Sequence, residues 1–270
     1  MIEVPTFKSR DEGIDWVIKN RDLIAVERKN SIKHSDLSFI HLEGENKAIS
    51  TSTKKVECLI YEAVISKSRN EYMFEQYRKG YVLNHSVGMR YIKYILCVDS
   101  DSPENSAYKE AWDKYIPYLI NREVADSKGW FWAVTESKNI EGSSVVKGSN
   151  FLTPVLEMTV IDENTIKVKA VINVSGIIDS HMDCHIPKCW DKTLKENNYD
   201  LFLQEHVMDQ RHVMADSIND KLNVYTENIP LSDLAKRFRS NKKDEPSNDT
   251  QKEEAVSDTS KKTSRKLFIN

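Results

Sequence analysis

Between residues 155 and 177 the chain alternates with a period of two. Val160, Ile166, Val168, Ala170 and Ile172 interleave with Thr159, Thr165, Lys167, Lys169 and Asn173. Successive side chains on a strand point to opposite faces, so the pattern predicts two half-buried strands. Asp162-Glu163-Asn164 between them predicts a hairpin turn. Other β-like runs lie at 56–66, 82–98, 130–136 and 140–146, with Leu201 to His206 and a short run at Leu222 to Val224.

Helical spacing accounts for most of the rest. Asp11 is placed to cap a first helix, whose apolar stripe is Ile14, Trp16, Val17, Ile18, Leu23, Ile24 and Val26. A short amphipathic helix is expected at 69–79, ended by Gly80. A longer one is expected from Ser102 to Asp126, divided at Pro117, and another short one from Cys189 to Asn198. Several strands with a few peripheral helices predict an α+β fold centred on a β-barrel.

Three segments are expected along the 270 residues. Residues 1–55 form a helix and a polar linker, and residues 56–235 form the main domain. From Lys236 the composition turns to Lys, Asp, Glu, Ser, Thr and Pro, too polar to offset the entropy of ordering, so 236–270 reads as a disordered tail with an apolar end. Apolar residues make up 39%, enough for a core, and the net charge of −3 gives no basic face for nucleic acid. No apolar run is long enough to span a bilayer, and the start Met1-Ile2-Glu3-Val4 lacks the features of a signal peptide. Cys58, Cys97, Cys184 and Cys189 are irregularly spaced and read as reduced thiols.

Nucleophilic catalysis needs a hydroxyl or thiol, a base within reach, and a group that orients the base. Ser86 lies in Asn84-His85-Ser86-Val87-Gly88-Met89, where Gly88 lets a substrate backbone approach. His206 ends an apolar strand, a common place for a general base. Glu141 is a lone acid among small and apolar residues, which requires a partner if buried. Taken singly, each also fits an ordinary strand serine, a surface histidine and a solvent-facing acid. His181, Asp183 and His185, with His206 and His212, are of metal-ligand type, but Pro187 argues for a loop there and not a helix with one ligating face.

As a set, Asn84 to Tyr91, Phe131 to Asn150, and Asp179 to His206 resemble the prohead maturation proteases of tailed phages. The similarity covers most of residues 56–235. It implies a barrel ringed by helices, like that of the herpesvirus assemblin proteases. It also implies Ser86 as nucleophile, His206 as base and Glu141 as third member, with no cofactor or metal. The implied substrates are scaffold and capsid-protein segments, cleaved inside the procapsid in the host cytoplasm by a self-associating enzyme, with neither nucleic acid nor membrane as partner. An inactive capsid-assembly protein of the same fold is the alternative, and a metal-dependent hydrolase a weaker one.

In that family the His-bearing half precedes the Ser-bearing half, whereas Ser86 and Glu141 come first here. The chain therefore looks circularly permuted, with the expected join between the Leu231–Leu234 region and Val56. Chain order is no obstacle in principle, since a triad is defined by geometry. Gly148-Ser149-Asn150 is the candidate source of oxyanion donors.

Overall fold

A computed structural model describes residues 5–30, 53–197 and 199–242. Nine strands form two sheets: β1 (Lys55–Ser66), β2 (Asn84–Val98), β3 (Trp130–Val145), β4 (Val155–Asp162), β5 (Thr165–Val174), β6 (Asp183–His185), β7 (Leu201–Gln204), β8 (Val213–Asp216) and β9 (Asn223–Pro230). The helices are α1 (Arg10–Asn30), α2 (Glu71–Arg78), α3 (Ser106–Tyr115), α4 (Arg122–Lys128), α5 (Asp191–Glu196) and α6 (Leu231–Lys242).

The first sheet has the order β4-β5-β1-β9 and the second β2-β3-β7-β8, with β6 parallel to β3. The class is α+β, but the expected barrel is not closed. Its strands divide into two sheets whose edges are not joined by backbone hydrogen bonds among the described residues. Side chains join them instead. Leu59, Tyr61, Ala63, Ile65, Ile166, Val168 and Ile172 of the first sheet pack with Val87, Met89, Val134, Phe202 and Met214 of the second. Burial of this apolar surface is the main force holding the layers together.

The imperfect alternation of 56–66 has a physical cause. β1 is central, so Val56, Cys58 and Ile60 are buried as well, in a second cluster with Ile229, Leu231 and Leu234 behind the sheet. The hairpin forms as patterned. Asp162 Oδ1 accepts from Asn164 N at 2.8 Å and Thr165 Oγ1 at 2.6 Å, fixing the turn. Val160 is a correction: it is 52% exposed, because β4 is an edge strand.

Four other boundaries also differ from expectation. The runs at 130–136 and 140–146 are one strand, β3, whose pairing with β2 shifts register near Gly88 and around Lys93. Ser9, not Asp11, caps α1, its Oγ accepting from Glu12 N at 3.2 Å. Leu222 to Val224 expands into the eight-residue β9. Residues 236–242, assigned to the tail, are helical instead: α6 continues to Lys242 from a start anchored by buried Leu231, Leu234 and Ala235. The linker and tail readings otherwise fall on residues 31–52 and 243–270, outside the described residues. All four cysteines are buried free thiols.

β9 and β1 are antiparallel, and Pro230 at the end of one stands opposite Lys55 at the start of the other. Leu231 N donates to Lys54 O at 2.9 Å. The two points expected to flank the join are therefore neighbours in space.

β3 passes so close to β1 that one position admits no side chain. A Cβ on Gly142 would lie 2.6 Å from Tyr61 Cε2. That ring is fully buried, and its hydroxyl accepts from Asn139 Nδ2 at 2.6 Å, so it has no easy retreat. Gly142→Ala is expected to destabilise the protein by about 1–3 kcal/mol, the usual cost of overpacking. Urea unfolding measures this directly; an unchanged midpoint would show that the ring yields.

Candidate active site

Antiparallel pairing fixes which side chains of β2 and β3 share a face. Ser86 stands opposite Ser143 and Gly88 opposite Glu141. Glu141 and Ser143 are two residues apart on one strand, so they project to the same side. Ser143 Oγ accordingly donates to Glu141 Oε2 at 2.6 Å. Gly142 between them and Ser144 beyond them face inward, toward Tyr61 and Tyr77.

His206 arrives from β7, which runs parallel to β3 with Leu203 opposite Ser143. Glu205 N donates to Ser144 O at 2.9 Å, and the chain then turns sharply. Glu205 and His206 both take left-handed backbone angles, with φ of 50° and 58°. The turn returns the imidazole over β3, where Nδ1 lies 2.7 Å from Glu141 Oε1. His206 N also donates to Ser143 Oγ at 3.1 Å.

The resulting unit is compact. The Glu141 carboxylate is fully buried and receives hydrogen bonds from Ser143 and His206, which offsets the cost of burying a charge. With Nδ1 directed at the acid, Nε2 lies on the far side of the ring, the position a general base would need. Sequence reasoning named Glu141 and His206, and the structure joins them directly. Ser86 lies on their face, one cross-strand position from Ser143. Sequence reasoning missed Ser143 and Glu205, although the Glu141-to-Ser143 spacing places the serine on the acid's face.

His85, next to Ser86 in sequence, is not part of this unit. It points to the opposite face and is fully buried. Its Nδ1 lies 3.0 Å from Thr153 O, and its Nε2 lies 2.9 Å from Tyr77 Oη. A carbonyl only accepts, so Nδ1 carries the proton and Nε2 accepts from the tyrosine. Burial pushes the imidazole pKa down to about 4, the Thr153 carbonyl opposing. The unfolded chain therefore takes up this proton before the folded one does. Stability is complete above the ordinary histidine range and falls as the pH drops from about 6.5 toward about 4. Each pH unit in that window removes up to about 1.4 kcal/mol through this group. Buried His185, also shifted down by burial, adds in the same direction. Urea titrations at pH 7 and pH 4.5 test this, and equal midpoints would contradict it.

The Gly148-Ser149-Asn150 turn packs against β2 beside Ser86. A Cβ on Gly148 would lie 2.6 Å from His85 O. Thr153 Oγ1 donates to that same carbonyl at 2.8 Å. Asn150 pins the loop through Nδ2 to Asn173 Oδ1 and Val174 O, both at 3.0 Å. Ser149, Asn150 and Ser86 line one narrow cleft, together with Asp179 and His181.

A second acid–histidine pair, Asp179 and His181, lines that cleft, where His181 Nδ1 is 3.8 Å from Asp179 Oδ2, beyond hydrogen-bond length. Asp183 to His185 is a strand, so His181 and His185 share no helical face. Asp183 accepts from Tyr91 Oη at 3.1 Å, while His185 is stacked on Trp190. No group of three or more His, Cys, Asp or Glu side chains among the described residues is placed to hold a metal.

No protein-family model, curated protein or solved structure matches this chain.

Proposed function

We propose that the protein is a serine endopeptidase acting through Ser86, His206 and Glu141. The observation that carries this reading is the 2.7 Å contact between His206 Nδ1 and the buried Glu141, with Ser86 on the same face. A histidine whose tautomer is fixed by a buried acid is a poised general base.

In this mechanism His206 Nε2 takes the proton of Ser86 Oγ as the oxygen attacks a peptide carbonyl. The imidazolium, stabilised by Glu141, then gives that proton to the leaving amine. Water repeats the sequence on the acyl-enzyme, with His206 again as base, and restores the serine. Backbone N–H groups of the 148–150 turn are the proposed oxyanion donors, a contribution typically of about 3–4 kcal/mol.

The substrate class rests on the resemblance to phage prohead proteases: scaffold and capsid-protein segments, cut inside the procapsid by a self-associating enzyme. The proposed assemblin-like fold, in permuted order, is supported by the Lys55–Pro230 pairing, which puts the ends of β9 and β1 where a hairpin would join them. The test is incubation with the virion's own capsid and scaffold polypeptides, with fragment ends mapped by mass spectrometry. Cleavage by wild type, unaffected by chelator and absent from Ser86→Ala, supports the proposal. Intact polypeptides with both proteins favour the inactive assembly protein, and cleavage abolished by chelator favours the metal hydrolase.

A further inference from the structure

We infer that Glu205 is a positioning residue for His206, acting as a latch between the end of β3 and the turn that carries the base. This rests on the proposed function. Two successive non-glycine residues in the left-handed region are disfavoured, and persist only where their surroundings hold them. Here the turn closes on itself, Val207 N donating to Gln204 O at 3.1 Å, and is tied to β3 as well. Glu205 Oε1 accepts from Val146 N at 2.8 Å, just past the last residue of β3. Glu205 N donates to Ser144 O, and His206 N donates to Ser143 Oγ. Three consecutive contacts thus tie residues 205–206 to 143, 144 and 146.

Two of those contacts use backbone or a residue already in the site. The third is the Glu205 side chain alone. It also ties the base to the 146–150 segment, so His206 and the proposed oxyanion turn share one anchor. Val146 is 82% exposed, and its own side chain does little to hold that segment in place. The contact is solvent-exposed and so of ordinary strength, but it is the side-chain tie of the turn to residue 146, and its loss is expected to let the turn relax and the imidazole drift from Glu141.

The experiment measures the second-order rate of Ser86 labelling by a fluorophosphonate in the full chain. Glu205→Ala is expected to slow labelling roughly tenfold, the scale of one ordinary hydrogen bond, with the melting temperature lowered by no more than a few degrees. Glu205→Gln keeps an acceptor oxygen and is expected to restore most of the rate. Glu205→Gly removes the latch without a left-handed penalty and is expected to match the alanine variant; it decides the matter if alanine unfolds the protein. Glycine or alanine labelled as fast as wild type would overturn the latch, and so would glutamine as slow as alanine.

The His206 Nδ1–H resonance in proton NMR gives a readout independent of activity. It is expected in wild type and Glu205→Gln, and broadened or lost in Glu205→Ala. Wild type that is not labelled at all sinks the protease reading, and this resonance alone then decides whether Glu205 positions the ring: its persistence in Glu205→Ala would overturn the latch.

Discussion

Replacing Ser86 with alanine is expected to lower the rate of peptide cleavage by about 10⁴- to 10⁶-fold without changing stability. The loss is large because in the proposed mechanism the serine supplies the bond-forming atom, and neither neighbouring serine of β3 is placed to replace it. Ser143 is the nearest hydroxyl on β3, but its proton is committed to Glu141 and its oxygen accepts from His206 N. Ser144 faces the other way, 2.5 Å from Tyr77 Oη. His206→Ala is expected to cost about as much as Ser86→Ala, and the double variant no more than either, because the proposed nucleophile and base would act as one unit. Losses that multiply in the double variant would mean that the two residues work independently. Stability is spared because Ser86→Ala removes one small hydroxyl and leaves the β2–β3 pairing intact.

Glu141→Gln is expected to reduce turnover by about 10⁴-fold with the shape of the site preserved. An amide has nearly the volume of a carboxylate, so packing around the fully buried side chain changes little. Hydrogen bonding changes more. Glu141 accepts from Ser143 on one oxygen and faces His206 Nδ1 with the other. An amide offers a donor at one of these places, so either the serine must turn or the histidine must take the wrong tautomer. The amide also lacks the charge that stabilises the imidazolium. Steady-state kinetics with a capsid-derived peptide reads this. Activity within about tenfold of wild type would remove Glu141 from the catalytic unit, since a loss that small is the scale of one ordinary hydrogen bond. Glu141→Ala should in addition lower stability by about 1–3 kcal/mol, because two buried donors lose their acceptor.

Much of the fold was legible because it depends on local signals. Period-two alternation located β4 and β5, and Gly80 and Pro117 marked helix boundaries through backbone restriction. What was not legible depends on distant partners. Whether Val160 is inside or outside turns on β4 having no neighbour on one side, which its own sequence does not state. Likewise the two halves of β3 looked separate because Ser137, Lys138 and Asn139 break the apolar run. Pairing with β2 carries the strand across them. Barrel closure is a property of how strand edges meet, and no single segment encodes it.

The site divides in the same manner. Glu141 stood out as an acid in an apolar strand, and its burial forces a partner to exist. That the partner is His206, 65 positions away, follows from β7 lying parallel to β3 and from the left-handed turn after it. Ser143 was readable in hindsight from the two-residue spacing. Glu205 was not, since its role arises only when the turn is folded back on Val146.

The most direct test of the central claim is peptide mapping after treatment with a fluorophosphonate, an irreversible reagent for activated serines. The expected result is a single adduct on Ser86, absent from Ser86→Ala and strongly reduced in His206→Ala and Glu141→Gln. No adduct on the wild-type protein, or one on Ser143 or another serine with Ser86 unmodified, would contradict the assignment.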